Sequence, residues 1–197
     1  MSEIGIATEV TGLGAAERLA AERWRSLQNW VPLRAVGAEL GVFKGHLSPY
    51  FLTKLPRTLY LVDPWYRLAP TWTWCKSGDP NTYNAFLSIL RQFEREINLG
   101  QVVPVVDFSV PFLRGLEPHS LDFCYLDSSH SYEGTRDELP AIAGALKSSG
   151  LLLGDDWRED QNHRHHGVTR AVREWLDAGR AKILFVDKQQ WGLRFLD

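Results

Sequence analysis

Short apolar runs alternate with longer, helically patterned stretches along most of the chain, which predicts an α/β protein built from strand–helix units. Strand candidates fall at 35–39, 57–63, 101–106, 121–127, 151–153, 182–186 and 191–196. Helical spacing of apolar positions appears within 14–30 (Leu19, Trp24, Leu27, Val31) and over 47–55. It recurs at Tyr83, Phe86, Leu87, Leu90, Phe93 and Ile97, introduced by Asp79-Pro80 and closed by Gly100. Two further helices carry Leu139, Ile142 and Leu146, with a kink expected at Pro140, and Val168, Val172, Trp175 and Leu176. Pro104 cannot donate to a ladder, so its strand belongs at a sheet edge. The last two strands are separated by only four residues, too few for a parallel crossover, and must form an antiparallel hairpin. The expected fold is therefore a doubly wound, seven-stranded α/β sheet, mostly parallel, with an antiparallel C-terminal hairpin strand. Residues 1–33 read as a loose leader (1–10) plus an amphipathic helix, and 34–197 as the main domain. That helix is an ordinary surface helix, a cap on the main fold, or a surface for a second subunit in a homodimer.

Composition narrows the function classes. At 197 residues the chain suits one domain that buries roughly 70% of its unfolded surface. The formal net charge of −2 gives no bulk reason to bind nucleic acid or acidic membranes. Cys75 and Cys124 are too few for a disulfide framework, and the N-terminal residues lack a signal-peptide core, so a cytoplasmic setting is expected. No stretch approaches the ~20 apolar residues that span a bilayer.

Candidate chemistry gathers at strand ends. Glu39-x-Gly41-x-x-x-Gly45 follows the first strand; it is neither the dinucleotide Gly-x-Gly-x-x-Gly nor a P-loop. Glycines there let backbone pass close to a ligand, and a carboxylate at the strand tip suits a hydroxylated or cationic one. Asp63 ends the second strand 24 residues later, where an acidic residue can accept both hydroxyls of a ribose, or simply cap a turn before Pro64. Trp65, Tyr66, Trp72 and Trp74 crowd the next loop, as a hydrophobic plug or as a wall over an active-site mouth. Asp107-Phe108-Ser109, Asp127 with Ser128-Ser129-His130, and Asp155-Asp156 follow the third, fourth and fifth strands. His163-Arg164-His165-His166 reads as a solvated loop, a transition-metal ligand set or a greeting for an anionic substrate; Trp157 and Trp191 read as packing.

Five segments in order, at β–α spacing, carry a resemblance. They are Glu39-x-Gly41-x-x-x-Gly45, Leu61-Val62-Asp63-Pro64-Trp65, Leu126-Asp127-x-x-His130-Ser131-Tyr132-Glu133-Gly134, Gly154-Asp155-Asp156-Trp157 and Gly167-Val168-x-x-Ala171-Val172. Across roughly residues 35–197 the sequence resembles a class I S-adenosylmethionine-dependent methyltransferase of the methyltransferase domain 24 subfamily, and more distantly the macrocin-type sugar O-methyltransferases. The resemblance implies a Rossmann-like fold. It sets Glu39 and the turn of Gly41, Phe43 and Gly45 against the methionine end of the cofactor. It gives Asp63 the ribose, sets Asp107, Phe108 and Ser109 beside the adenine, and turns Asp127 toward the methyl-transfer region. In macrocin-type relatives an acidic residue there joins an Asp-Asp pair to hold magnesium, a pattern matched by Asp127, Asp155 and Asp156; His130 with Ser128 and Ser129 departs from it.

Methyl transfer to a hydroxyl needs alignment and removal of a proton. His130 is the expected base because an ordinary imidazole is mostly neutral at pH 7, although it could also be a loop-capping group. The expected function is O-methylation of a small hydroxylated molecule, a sugar or secondary metabolite, using S-adenosylmethionine and optionally Mg²⁺, with no nucleic-acid or membrane partner. The competing readings are an NAD-dependent Rossmann oxidoreductase, disfavoured by the glycine spacing and the lack of a Tyr-x-x-x-Lys pair, and a non-catalytic partner-binding module.

Overall fold

The computed structural model describes residues 14–68 and 81–196. Trp72, Trp74, Cys75 and the Asp79-Pro80 cap lie outside the described residues. Seven strands form one sheet: β1 (Val36–Leu40), β2 (Thr58–Asp63), β3 (Val102–Val106), β4 (Leu121–Leu126), β5 (Leu146–Gly154), β6 (Ala181–Asp187) and β7 (Gln190–Phe195). The order is β3-β2-β1-β4-β5-β7-β6, with β1 to β5 parallel and β7 antiparallel to both neighbours. The reversed strand and the edge position of the Pro104 strand follow from the hairpin and proline arguments above. The progression of strand order reverses between the parallel neighbours β1 and β4, which leaves a crevice above their carboxyl ends.

Among the described residues, seven α-helices cover the two faces: α1 (Ala15–Leu27), α2 (Ser48–Leu52), α3 (Asn81–Gln92), α4 (Glu94–Asn98), α5 (Ser109–Gly115), α6 (Tyr132–Ala145) and α7 (His166–Asp177). Strand residues alternate between two cores because successive side chains point to opposite faces. Phe123 and Tyr125 of β4 pack with Trp24, Phe51 and Ile89 of α1, α2 and α3. Cys124 and Leu126 pack with Leu113, Leu139 and Val172 of α5, α6 and α7. Burial on both faces explains why these strands read as continuous apolar runs.

Some expectations need correction. Leu19 is 45% exposed and Tyr83 49% exposed; the inward stripes are Ala20, Trp24 and Leu27 on α1 and Ala85 and Ile89 on α3, continued by Phe93 just beyond it. The long third helix divides at Phe93, whose φ of −111° is not helical. Residues 148–150 are not a turn before β5 but lie inside it, where its register against β4 shifts between Leu121 and Phe123. Helix α5 was not anticipated, since seven residues containing Pro111 and Gly115 carry little helical signal. No helix among the described residues is long and apolar enough to cross a membrane.

Candidate active site

The carboxyl ends of β1 to β4 open onto one cavity of about 770 Å³. Gly41, Asp63, Pro64 and Leu68 form one side, and Phe108, Ser109 and Val110 the rim beside β3. Residues 128–131, with Gly134, Asp137 and Glu138 of α6, form the other side, together with Arg164 and His165 from the loop before α7.

On the β1–β2 side the site is made of backbone. Asp63 is 5% exposed, and its Oδ2 accepts the N–H groups of Val42 at 3.0 Å and Phe43 at 2.9 Å. Its Oδ1 accepts the Trp65 N–H at 2.7 Å. Burial raises the Asp63 pKa and the three amides pull against that rise. A carboxylate oxygen offers two lone-pair sites, so Oδ2 is filled and Oδ1 keeps one for a ligand hydroxyl. Gly41 takes φ +87°, and a Cβ there would stand 2.0 Å from the Asp127 carbonyl oxygen. Its first role is thus the close approach of the β1 and β4 exits, which Asp127 N–H to Leu40 O at 2.8 Å also fastens. Gly45 (φ +68°) lies against Ile89. Glu39 does not line the cavity: buried, it accepts the Ser48 hydroxyl at 2.6 Å and ties β1 to α2. Burial pushes its pKa up to about 8 against the Ser48 hydrogen bond. Phe43 is also outside the lining; its carbonyl receives the indole N–H of buried Trp65 at 2.8 Å. Asp107 pairs with Arg67 at 2.6 Å and caps the Phe108 N–H, leaving the half-exposed Phe108 ring at the cavity rim.

On the β4–β5 side the site is made of charged side chains. Asp127, Asp155 and Asp156 bring carboxylate oxygens within 4.8 Å of one another. Two unit charges at that spacing repel by roughly 3 kcal/mol at an effective dielectric of about 20, so the cluster needs cations. Arg23 of α1 supplies one: Nη1 lies 2.8 Å from Asp127 Oδ2, and Nη2 pairs with Asp155 Oδ2. Gln190 of β7 donates to Asp155 Oδ1, and the Trp191 indole N–H donates to the Asp155 carbonyl at 2.7 Å. Asp156 Oδ2 meets His130 Nδ1 at 2.7 Å and His165 Nδ1 at 2.8 Å, and the two imidazoles stack with centroids 4.8 Å apart. Both His130 (φ +54°) and Asp156 (φ +65°) sit in the left-handed region, strain that the surrounding contacts hold in place.

Burial raises Asp127 to about 7, helped by Asp155 and opposed by Arg23. For Asp156 burial is outweighed by hydrogen bonds from His130 and His165, which hold it near 2. For His130 burial acts downward, but the Asp156 hydrogen bond and the Asp127 charge raise it above the usual 6.5.

These contacts also test the expected magnesium. Mg²⁺ demands near-octahedral oxygen ligation and keeps several waters. Here the facing oxygens of Asp127 and Asp155 hold Arg23, the other Asp155 oxygen holds Gln190, and Asp156 Oδ2 holds two histidines. Asp127 Oδ1 has no hydrogen-bond partner and lies 3.6 Å from His130 Nδ1. The facing carboxylate oxygens of Asp127, Asp155 and Asp156 are thus engaged by Arg23, Gln190 and the two histidines, a donor set poorly suited to a magnesium cage, although the three carboxylates do gather as expected.

Of the residues expected at the site, Gly41, Asp63, Phe108, Ser109 and His130 line the cavity, whereas Glu39, Phe43, Gly45, Asp107, Asp127, Asp155 and Asp156 support it from behind or stand aside. The His163–His166 loop proves part of the site through Arg164 and His165. Arg23, Ser48 and Gln190 were missed, as was the indole hydrogen bond that Trp191, correctly read as packing, makes to the Asp155 carbonyl. Arg23 did leave a signal: it sits three residues after Ala20 and four before Leu27, a charge on the inward stripe of an amphipathic helix.

The comparisons agree with this geometry. A family model described as a methyltransferase domain matches residues 38–157, from β1 to the end of β5. Among solved structures, CalS11, a TDP-rhamnose 3′-O-methyltransferase of calicheamicin biosynthesis, is 20% identical with a TM-score of 0.59, covering 92% of this chain and 79% of its own. A Clostridium thermocellum protein assigned as an rRNA methylase is 8% identical with a TM-score of 0.62, covering 91% and 96%. A Streptococcus mutans protein assigned as a methyltransferase, solved with S-adenosylhomocysteine, is 12% identical with a TM-score of 0.58, covering 93% and 99%. No curated protein matches. With the 3-2-1-4-5-7-6 sheet and the crevice at its switch point, the chain belongs to the methyltransferase domain family and is a class I S-adenosylmethionine-dependent methyltransferase.

Proposed function

We propose that this methyltransferase transfers a methyl group to a hydroxyl of a small molecule, a sugar or secondary metabolite, and has no nucleic-acid or membrane partner. The observation that carries the proposal is one cavity shared by a ribose-type acceptor, Asp63, and a carboxylate-tethered imidazole, His130. At about 770 Å³ it has room for a cofactor and a small acceptor, and the net charge of −2 offers little to a polyanion. The NAD-dependent alternative shares the ribose acceptor Asp63 but lacks the Gly-x-Gly-x-x-Gly turn.

The chain's residues divide the work. Asp63 Oδ1, fixed by its amide bonds, accepts a ribose hydroxyl, while Phe108 and Ser109 border the adenine. S-adenosylmethionine, when bound, supplies a methyl group made electrophilic by its sulfonium. The acceptor hydroxyl lies against His130. Because Nδ1 is held by Asp156, Nε2 is the nitrogen left to take the hydroxyl proton, and Asp156 stabilises the imidazolium that results. This is the orienting logic of a carboxylate–histidine pair, in which one nitrogen's bond fixes the tautomer of the other. Asp127 adds negative charge behind the ring.

The test is His130→Ala, assayed by release of S-adenosylhomocysteine with a panel of hydroxylated acceptors. Turnover should fall by about 10²–10⁴-fold while S-adenosylhomocysteine affinity stays within about threefold. Unchanged turnover removes His130 from the mechanism.

A further inference from the structure

We infer that Arg23 is the resident cation of the three-aspartate centre: its guanidinium takes the place of a divalent ion, so the protein neither binds nor needs one there. The centre is negative enough to demand a counter-charge, and α1 provides it from outside the sheet. One nitrogen of Arg23 reaches Asp127 at 2.8 Å, and a second pairs with Asp155. The two carboxylates end neighbouring parallel strands, so a planar fork spans them as a bridging ion would. The rest of the cluster is satisfied separately, Asp156 by His130 and His165, and Asp155 by Gln190.

The placement of Arg23 is built rather than incidental. Trp24 and Leu27 anchor α1 on the β4 face, and Trp24 packs edge-on against Phe51 at 5.7 Å. The Arg23 side chain is 24% exposed, whereas that of Asp155 is 1% exposed. A hydrated divalent ion cannot enter without displacing the guanidinium from both carboxylates. The inference goes beyond methyl transfer itself, and it extends the site to a helix that precedes the residues matched by the family model.

The test is Mn²⁺ titration of the full chain, followed by loss of the free-ion electron paramagnetic resonance signal, without cofactor or acceptor. Wild type should leave the signal unchanged through micromolar concentrations. Arg23→Met, which keeps the apolar stem, should bind Mn²⁺ at least about tenfold more tightly than wild type, and Asp155→Asn in that background should abolish the gain. Arg23→Lys, which keeps a positive charge, should gain nothing. Saturable Mn²⁺ binding by wild type, or no gain in folded Arg23→Met, overturns the inference. Should Arg23→Met fail to fold, Arg23→Gln carries the same expectation, and the wild-type titration decides on its own. S-adenosylhomocysteine affinity measured on the same samples separates failure here from failure of the methyltransferase site.

Discussion

The two sides of the crevice are built from different materials. Beside β1 and β2 the ligand wall is backbone: a left-handed glycine, a carboxylate held by three amides, and strand tips joined by main-chain hydrogen bonds. Beside β4 and β5 it is a web of charged side chains drawn from α1, β4, β5, β7 and the loop before α7. A backbone-built wall tolerates little change in shape and carries a single fixed carboxylate, Asp63. A charge-built wall can change its residues and its protonation while keeping its shape. The first suits a cofactor of fixed chemistry, the second an acceptor that differs from one enzyme to the next.

The largest effect should come from breaking the backbone side. Gly41→Ala forces a Cβ to within 2.0 Å of the Asp127 carbonyl oxygen at a φ of +87°, which a β-carbon disfavours. It should cost about 3 kcal/mol or more and lower the melting midpoint by roughly 6–12 °C. Gly144→Ala, inside α6 with nothing near its added Cβ, should leave the midpoint unchanged or raise it by a few degrees. Equal behaviour of the two variants in thermal denaturation would remove the distinction drawn here.

A subtler effect should appear on the charged side. Asp156 raises the His130 pKa above 6.5, so the neutral imidazole that accepts a proton is lost earlier as pH falls. The acid limb of kcat/KM should therefore lie above 6.5, and Asp156→Asn should move it down toward 6.5, changing the relative rate at that pH by roughly two- to tenfold. Linkage carries the opposite sign for stability. A raised histidine pKa contributes stability that is complete below 6.5 and is lost as pH rises through the folded value. Thermal midpoints of wild type and Asp156→Asn should thus differ most at low pH and converge above that window. An acid limb indifferent to Asp156 would detach the carboxylate from the base.

The same contrast explains what could be read from the chain. The strands, their sheet and the reversed strand followed from apolar runs, Pro104 and the short final link, because each is a local consequence of backbone chemistry. The places of Asp63 and Gly41 at strand exits were visible for the same reason, but the three amides on the carboxylate and the Asp127 carbonyl beside the glycine were not. What Glu39 does was not visible, since only its contact with Ser48, nine residues on, turns it from the crevice into α2. Arg23 and Asp127 stand 104 residues apart, and Gln190 and Asp155 stand 35 apart. No local pattern encodes such pairings; they exist only once the sheet brings its edges together. The charge on the inward face of α1 was the one mark left in the sequence, and an amphipathic pattern alone reads it as solvent-facing.

Asp63 is expected to hold the ribose at the backbone-built wall, and calorimetry with S-adenosylhomocysteine tests that directly. Wild type should bind at micromolar levels, and Asp63→Ala, with its melting midpoint measured alongside to show that it is folded, should bind about tenfold or more weakly. Absence of binding by wild type, or equal affinity in a folded Asp63→Ala variant, would contradict it.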